Sequence, residues 1–433
     1  MTECFHLRIL MLSAEYPPTP GGVGDYTRAL GLALAARGHD VSVLTGVEGR
    51  PTVIRLSRPE STRAVDDLGA TPAPTNPQST THNPPFGWGW KSWRTITSAL
   101  AELRPDVLHV QYQTGAYDMH PAINLLPWRL KRIPDRPLVA VTAHDLLPPY
   151  LFPKAGPLRT WVTRRLLTDA GAAVVTNEAD AATLRGWGLA PALIPIGSNI
   201  AVAPPQGYSR EAWRAQLGVA PGETLVAFFG LISRTKGLDA LLDALERLTD
   251  TRLLIIGGEA PAPQDREYAA SIRRRVAEGP LRERVRITGH CTEEQVSAYL
   301  LAADLAALPF SDGASFRRGS LLAALAHGVP TVTTGKAERG ALKDEARAGA
   351  KQRDADISQA LQPLAFGLRP LRDGESVLFV PPGDVGALAG AIQRLAEDAA
   401  LRERLGEAGR DLAAQFGWEA IAVRHEKLYQ GRR

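Results

Sequence analysis

The chain has 433 residues, a length that suits two large domains. Its 50 Lys and Arg against 46 Asp and Glu leave a net charge of +4, which excludes a polybasic nucleic-acid protein and an acidic disordered chain. With 44% hydrophobic and 22% charged residues it has the composition of a globular protein with ample core, and its two cysteines, Cys4 and Cys291, exclude a disulfide scaffold and a four-cysteine zinc site. No apolar run approaches the roughly 18 residues of a membrane span. The apolar stretch 7–12 follows Glu3 and is not succeeded by a small-residue cleavage pattern, so it reads as a buried strand rather than a signal peptide, and the cytoplasm is the expected location.

Short apolar runs alternate with amphipathic stretches along most of the chain. Strands are expected to begin near Leu7, Val41, Val107, Leu138, Ala173 and Ala192, then near Thr224, Arg252, Val285, Leu305, Thr331 and Val377. Runs such as Leu253-Leu254-Ile255-Ile256 are continuously aliphatic, as strands buried on both faces of a parallel sheet are. Between them, Leu238, Leu241, Leu242, Leu245 and Leu248 share one face at helical spacing. The repeated strand–helix alternation predicts an α/β protein with two Rossmann-like parallel-sheet domains. A Pro/Gly connector at 201–207 marks the expected boundary, giving domains at 1–203 and 204–416. The segment 48–85, rich in Pro, Thr and Ser, reads as an exposed excursion, and 343–364 as a charged, Ala-rich helical insertion.

The first strand runs into Gly21-Gly22-Val23-Gly24, a glycine-rich loop that opens a helix, where backbone amides and the helix dipole suit an anion. A tight turn that needs glycine for its geometry is the equal alternative. The spacing is not G-x-G-x-x-G, and the next strand ends in Thr45-Gly46 without a ribose-binding acid, which argues against NAD. His144 and Asp145 end the strand that begins at Leu138, where an imidazole can meet a substrate hydroxyl or take part in proton transfer; a turn-capping role is the alternative. In the second half, Phe229-Gly230 leads to Arg234 and Lys236 just before a helix, cations suited to a diphosphate or to a solvated turn. Arg317, Arg318, Gly319, Ser320 and Leu321 open a further helix and are again anion-binding in character, although the arginines could pair with surface acids.

In this order the motifs resemble the family-4-type retaining glycosyltransferases of the GT-B fold. The similarity takes in the Gly21–Gly24 loop, Ala143-His144-Asp145, Gly230 to Gly237, Ile255-Ile256-Gly257-Gly258, Gly328-Val329-Pro330, Pro381-Pro382-Gly383-Asp384 and Phe416-Gly417-Trp418. The resemblance implies two Rossmann-like domains facing a central cleft, a final helix at 417–433 packed back on the first domain, and transfer of a sugar from a nucleotide-diphosphate sugar to an acceptor. It places Gly21 and Gly22 near the diphosphate or acceptor, His144 near the transferred sugar with Asp145 beside it, and Arg234, Lys236, Arg317, Arg318 and the amides of Gly319, Ser320 and Leu321 on the donor. It implies no metal and no cofactor beyond the donor itself. The two glutamates usual in the family fall at Ser315 and Ala323, and Leu231 stands where an arginine is common, with Asp312 a candidate replacement carboxylate. These departures keep two alternatives open, a non-catalytic sugar-nucleotide-binding subunit and a GT-B nucleotide-sugar epimerase.

One surface stands out. Between 128 and 165 lie Arg129, Lys131, Arg132, Arg136, Lys154, Arg159, Arg164 and Arg165 against Asp135 and Asp145, with Trp128, Leu151, Phe152 and Trp161 interleaved. This suits peripheral contact with an anionic membrane on the cytoplasmic face. The alternative is a solvated helix whose Leu158, Trp161, Val162 and Leu166 pack on their own domain. No nucleic-acid partner is expected.

Overall fold

The computed structural model describes residues 6–18, 21–47, 50–56, 87–147, 156–198, 200–259, 263–335 and 369–432. The helical insertion expected at 343–364, and Leu151, Phe152 and Lys154 of the basic stretch, lie outside the described residues. By packing, the chain forms two units, one made of 1–196 and 418–433 and the other of 197–417.

The first unit holds a seven-stranded sheet. Its strands are β1 (Arg8–Ser13), β2 (Asp40–Val47), β3 (Arg50–Leu56), β4 (Val107–Tyr112), β5 (Leu138–Ala143), β6 (Ala172–Val175) and β7 (Ala192–Leu193), in the order β3-β2-β1-β4-β5-β6-β7. All pairings are parallel except β2–β3. Helices link the parallel strands, and the aliphatic strand residues are buried on both sides, as the unbroken apolar runs predict.

Strand β3 corrects the reading of 48–85 as an excursion throughout. Residues 50–56 pair antiparallel with β2, from Val41 opposite Leu56 to Val47 opposite Arg50. Pro51 and two arginines disguise the strand. At a sheet edge a proline costs no ladder bond, and the half-buried alternation of Thr52, Ile54 and Leu56 suffices to hold it. The remainder, 57–86, lies outside the described residues.

Trp418–Gln430 returns to this unit and packs on the helix Gly22–Ala36, with Ile421, Ala422 and Tyr429 in the common core. Glu426 ties it down by accepting from Arg37 Nε at 2.5 Å and lying 2.8 Å from His39 Nε2. Burial opposes the Glu426 charge, but the bonds and charges of Arg37 and His39 win and hold its carboxyl below the ordinary range.

The second unit holds β8 (Thr224–Phe229), β9 (Thr251–Ile256), β10 (Val285–Ile287), β11 (Leu305–Leu308), β12 (Thr331–Thr334) and β13 (Leu378–Val380). They form one sheet in the order β10-β9-β8-β11-β12-β13, parallel throughout. The helix Leu238–Glu246 buries Leu238, Leu241, Leu242 and Leu245 against it, each worth about 2 kcal/mol of apolar burial. Thr292 and Gln295 form a reciprocal capping box on Glu293–Ala302. In both sheets the strand order reverses, at β1/β4 and at β8/β11, and it is outside the carboxyl ends of such strands that α/β sheets bind ligands.

Candidate active site

In the second unit the loops after β8 and β11 meet. Gly237 adopts φ 72°, and a β-carbon there would run into Pro309 O, so only glycine lets the loops close up. Gly230, at φ 137°, opens the space in which Lys236 lies. A β-carbon at 230 would sit 3.4 Å from Lys236 Nζ and 3.8 Å from Ser320 Cβ. Phe310 forms the floor, with Lys236 Nζ 5.2 Å and Arg318 Cζ 4.5 Å from its ring centre. Two cations therefore gather at one aromatic ring beside the start of the helix Gly319–Ala326. Burial and then the Arg318 charge lower the Lys236 pKa, with Asp312 opposing. Among the described residues no carboxylate pairs with Lys236, whereas Arg318 is bonded to Asp312. The Ser320 hydroxyl is buried without a partner, and the amides of Gly319 and Ser320 have no acceptor among the described residues.

The other donor candidates separate here. Arg234 lies over the Tyr268 ring at 5.0 Å rather than over Phe310, and Arg317 is exposed. Leu321 departs from the expectation for its amide, which donates to Arg318 O at 2.9 Å while its side chain fills the core. Asp312 is engaged with Arg318, and Ala323 is fully buried in the helix. Phe310, the residue that gathers the cations, was not singled out from the sequence. Its only signal is an aromatic directly after a buried strand.

In the first unit, β1 leads to the glycine loop. Nothing stands within 4 Å of a β-carbon built at Gly22, while one built at Gly24 would stand 3.1 Å from the Glu15 carbonyl, so glycine there lets the helix and the Glu15 backbone approach closely. The Glu15 carboxylate lies over Gly21 at the helix start, so part of the anion position there is already filled by a side chain.

His144 follows β5, its amide extending the ladder to Tyr112 O at 2.8 Å. Its ring stands edge-on to Tyr26, with centres 4.7 Å apart, and its Nε2 lies 3.1 Å from Gln111 Oε1. Burial, with a smaller contribution from His425, pushes its pKa down to about 4. At neutral pH the ring is uncharged, suited to hydrogen bonding with hydroxyls rather than to pairing with phosphate. Asp145 is turned away. Its carboxylate accepts from the Thr114 amide at 3.2 Å, the Thr114 hydroxyl at 2.8 Å and the Leu147 amide at 3.3 Å, so it organises the loops after β4 and β5. Gln111 and Tyr26 were not foreseen, although polar residues within the fully buried β4 are a readable signal. Among the described residues no group of three His, Cys, Asp or Glu is placed to hold a metal ion.

The basic stretch is less charged than its sequence suggests. Asp169, just beyond it, pairs with Lys131 at 2.5 Å and Arg165 at 2.7 Å, and Arg132 stacks 3.9 Å over Trp128. In the helix Gly156–Thr168, Val162 and Leu166 are buried, but Leu158 and Trp161 are 51% and 49% exposed. The expected apolar face is thus split between core and surface. Among the described residues no helix is long and apolar enough to cross a membrane.

Comparison with known proteins bears on the family of the chain. Residues 21–197 match the glycosyl transferase 4-like domain, and residues 223–365 match the glycosyl transferases group 1 family. The chain is 28% identical to a glycogen synthase of Mycobacterium tuberculosis, over 98% of this chain and 94% of that protein. It is 27% identical to a phosphatidyl-myo-inositol mannosyltransferase of Mycobacterium leprae, over 98% and 96%. Sucrose-phosphate synthase from Thermosynechococcus elongatus superposes with a TM-score of 0.60 at 25% identity, covering 98% of both chains. With both sheets, both glycine loops and the order of its motifs in place, the chain belongs to the family-4-type, group 1 glycosyltransferases of the GT-B fold.

Proposed function

We propose that the enzyme takes a nucleotide-diphosphate sugar as donor, with the diphosphate on the Lys236–Arg318–Ser320 cluster of the second unit. The observation that carries this reading is the convergence of two cations, two open amides and an unpartnered buried hydroxyl on one helix start. That set neutralises a diphosphate without a metal ion and stabilises the charge that grows on it as the glycosidic bond breaks. His144 supplies a neutral hydrogen-bonding group for a sugar hydroxyl, and transfer proceeds with retention, the acceptor hydroxyl entering on the face the phosphate leaves. The test is a panel of UDP-, ADP- and GDP-sugars, read as release of free nucleotide and as the anomeric configuration of the product by NMR. Binding of nucleotide diphosphates without release from any donor sugar would count against the donor assignment, and an inverted product against retention.

For the acceptor, an amphiphilic molecule is the reading that the surface favours. Trp90, Met119, Leu147 and Leu158 are exposed around the carboxyl ends of β4 and β5, the edge that carries His144. Exposed apolar side chains suit an acceptor with an apolar part, met at a membrane surface.

A further inference from the structure

All six residues of β4 are buried, yet the strand carries His109, Gln111 and Tyr112. Buried polar groups require partners. Two of these three are supplied from neighbouring elements. His109 lies 2.7 Å from the Thr142 hydroxyl and 2.7 Å from the Tyr429 hydroxyl, and the Tyr112 hydroxyl receives a bond from Asn124 and lies 3.0 Å from the Thr114 hydroxyl. Gln111 differs. Its side chain is fully buried, its Oε1 faces His144 Nε2 at 3.1 Å, and its Nε2 has no partner among the described residues.

We propose that Gln111 is a positioning residue for His144. Its carbonyl oxygen accepts the proton on Nε2 and so holds the ring as the Nε2–H tautomer. Nδ1, which has no partner among the described residues, is left with its lone pair for a ligand. The edge-on Tyr26 ring fixes the remaining rotation. His144 is thereby a hydrogen-bond acceptor, selecting a ligand hydroxyl that donates to it. The surrounding titratable groups are Tyr26 from the helix Gly22–Ala36, His109 and Tyr112 from β4, and His425, Arg424 and Tyr429 from the C-terminal helix, with Asp145 tied to Thr114 instead. The tautomer is independent of the donor reading; only the ligand hydroxyl rests on it.

The test is two-bond proton–nitrogen NMR of the full-length protein labelled at histidine, with the His144 ring assigned by its loss in His144→Gln. The expected wild-type signature is a protonated Nε2 and a bare Nδ1, unchanged from about pH 5.5 to 8. Gln111→Met keeps the length and removes the acceptor, so the two nitrogens should become averaged between tautomers. Gln111→Glu should draw the ring's titration up into that window. With whichever nucleotide sugar is turned over, Gln111→Met should lower kcat about tenfold, the value of one hydrogen bond, and change donor KM less than about twofold. A wild-type ring protonated at Nδ1, or a Gln111→Met spectrum identical to wild type, overturns the proposal. If Gln111→Met fails to fold, the wild-type and Gln111→Glu spectra decide it. A correct tautomer in a protein that turns over no nucleotide sugar leaves the positioning role standing and removes the donor reading alone.

Discussion

Acidification from pH 7.5 to 5 should destabilise the first unit before its carboxylates titrate. His144 and His425 have an ordinary value of 6.5 and are pushed by burial to about 4 in the folded chain, and burial holds His109 well below the same value. Between these values the unfolded chain binds protons that the folded chain refuses, so stability is full above pH 6.5 and falls as the pH drops toward 4. At pH 5 the linkage amounts to about 2 kcal/mol for a fully enclosed ring, and less for the partly exposed His144. With His109 contributing in the same direction, the combined loss is at least about 3 kcal/mol, which for a unit of this size lowers Tm by on the order of 10 °C or more. His425→Phe keeps the ring volume and removes one of the three protonation sites, one whose Nε2 is in any case buried without a partner. Calorimetric melts at half-unit pH steps should show one transition falling across this range in the wild type, and falling less steeply in His425→Phe, where His109 and His144 still refuse protons. A transition that stays level between pH 7.5 and 5, or an identical slope in the variant, would refute the assignment of these rings as neutral groups.

Three further outcomes follow from the site. Lys236→Met should weaken binding of nucleoside diphosphates about 10- to 100-fold, the value of one hydrogen bond to a charged group. It should leave Tm unchanged or raised, because Lys236 is partly buried beside Arg318. Calorimetric titration with UDP, ADP and GDP checks this, and retained affinity for all three would make Lys236 a solvated turn residue. His144→Ala should reduce kcat by at least about tenfold while the nucleoside diphosphate Kd moves less than about twofold; equal losses in both would place His144 in donor binding instead. Co-sedimentation with phosphatidylserine vesicles should be salt-sensitive and weakened by Trp161→Ala, since Trp161 is exposed beside Arg165; indifference to anionic lipid would remove the membrane-surface acceptor.

The periodicity of apolar residues was enough to place the parallel strands and their connecting helices, because burial on both faces of a sheet leaves a local mark on the chain. It was also enough to mark the loops that carry Gly22, His144, Lys236 and Ser320, since glycine and cations at strand ends follow from local geometry. Pro51 hid β3, because the tolerance of a sheet edge for proline depends on which neighbour is missing. Only the tertiary structure decided which candidates lie together. Gln111 and His144 are 33 residues apart, and Lys236 and Arg318 share Phe310 across two strand–helix units. The same holds for the contacts that draw candidates elsewhere. Arg234 is drawn to Tyr268, Asp145 to Thr114, and the Leu321 amide to Arg318 O. Residue type and spacing determine what a side chain is able to do, whereas its partner is set by distances that the chain acquires only on folding.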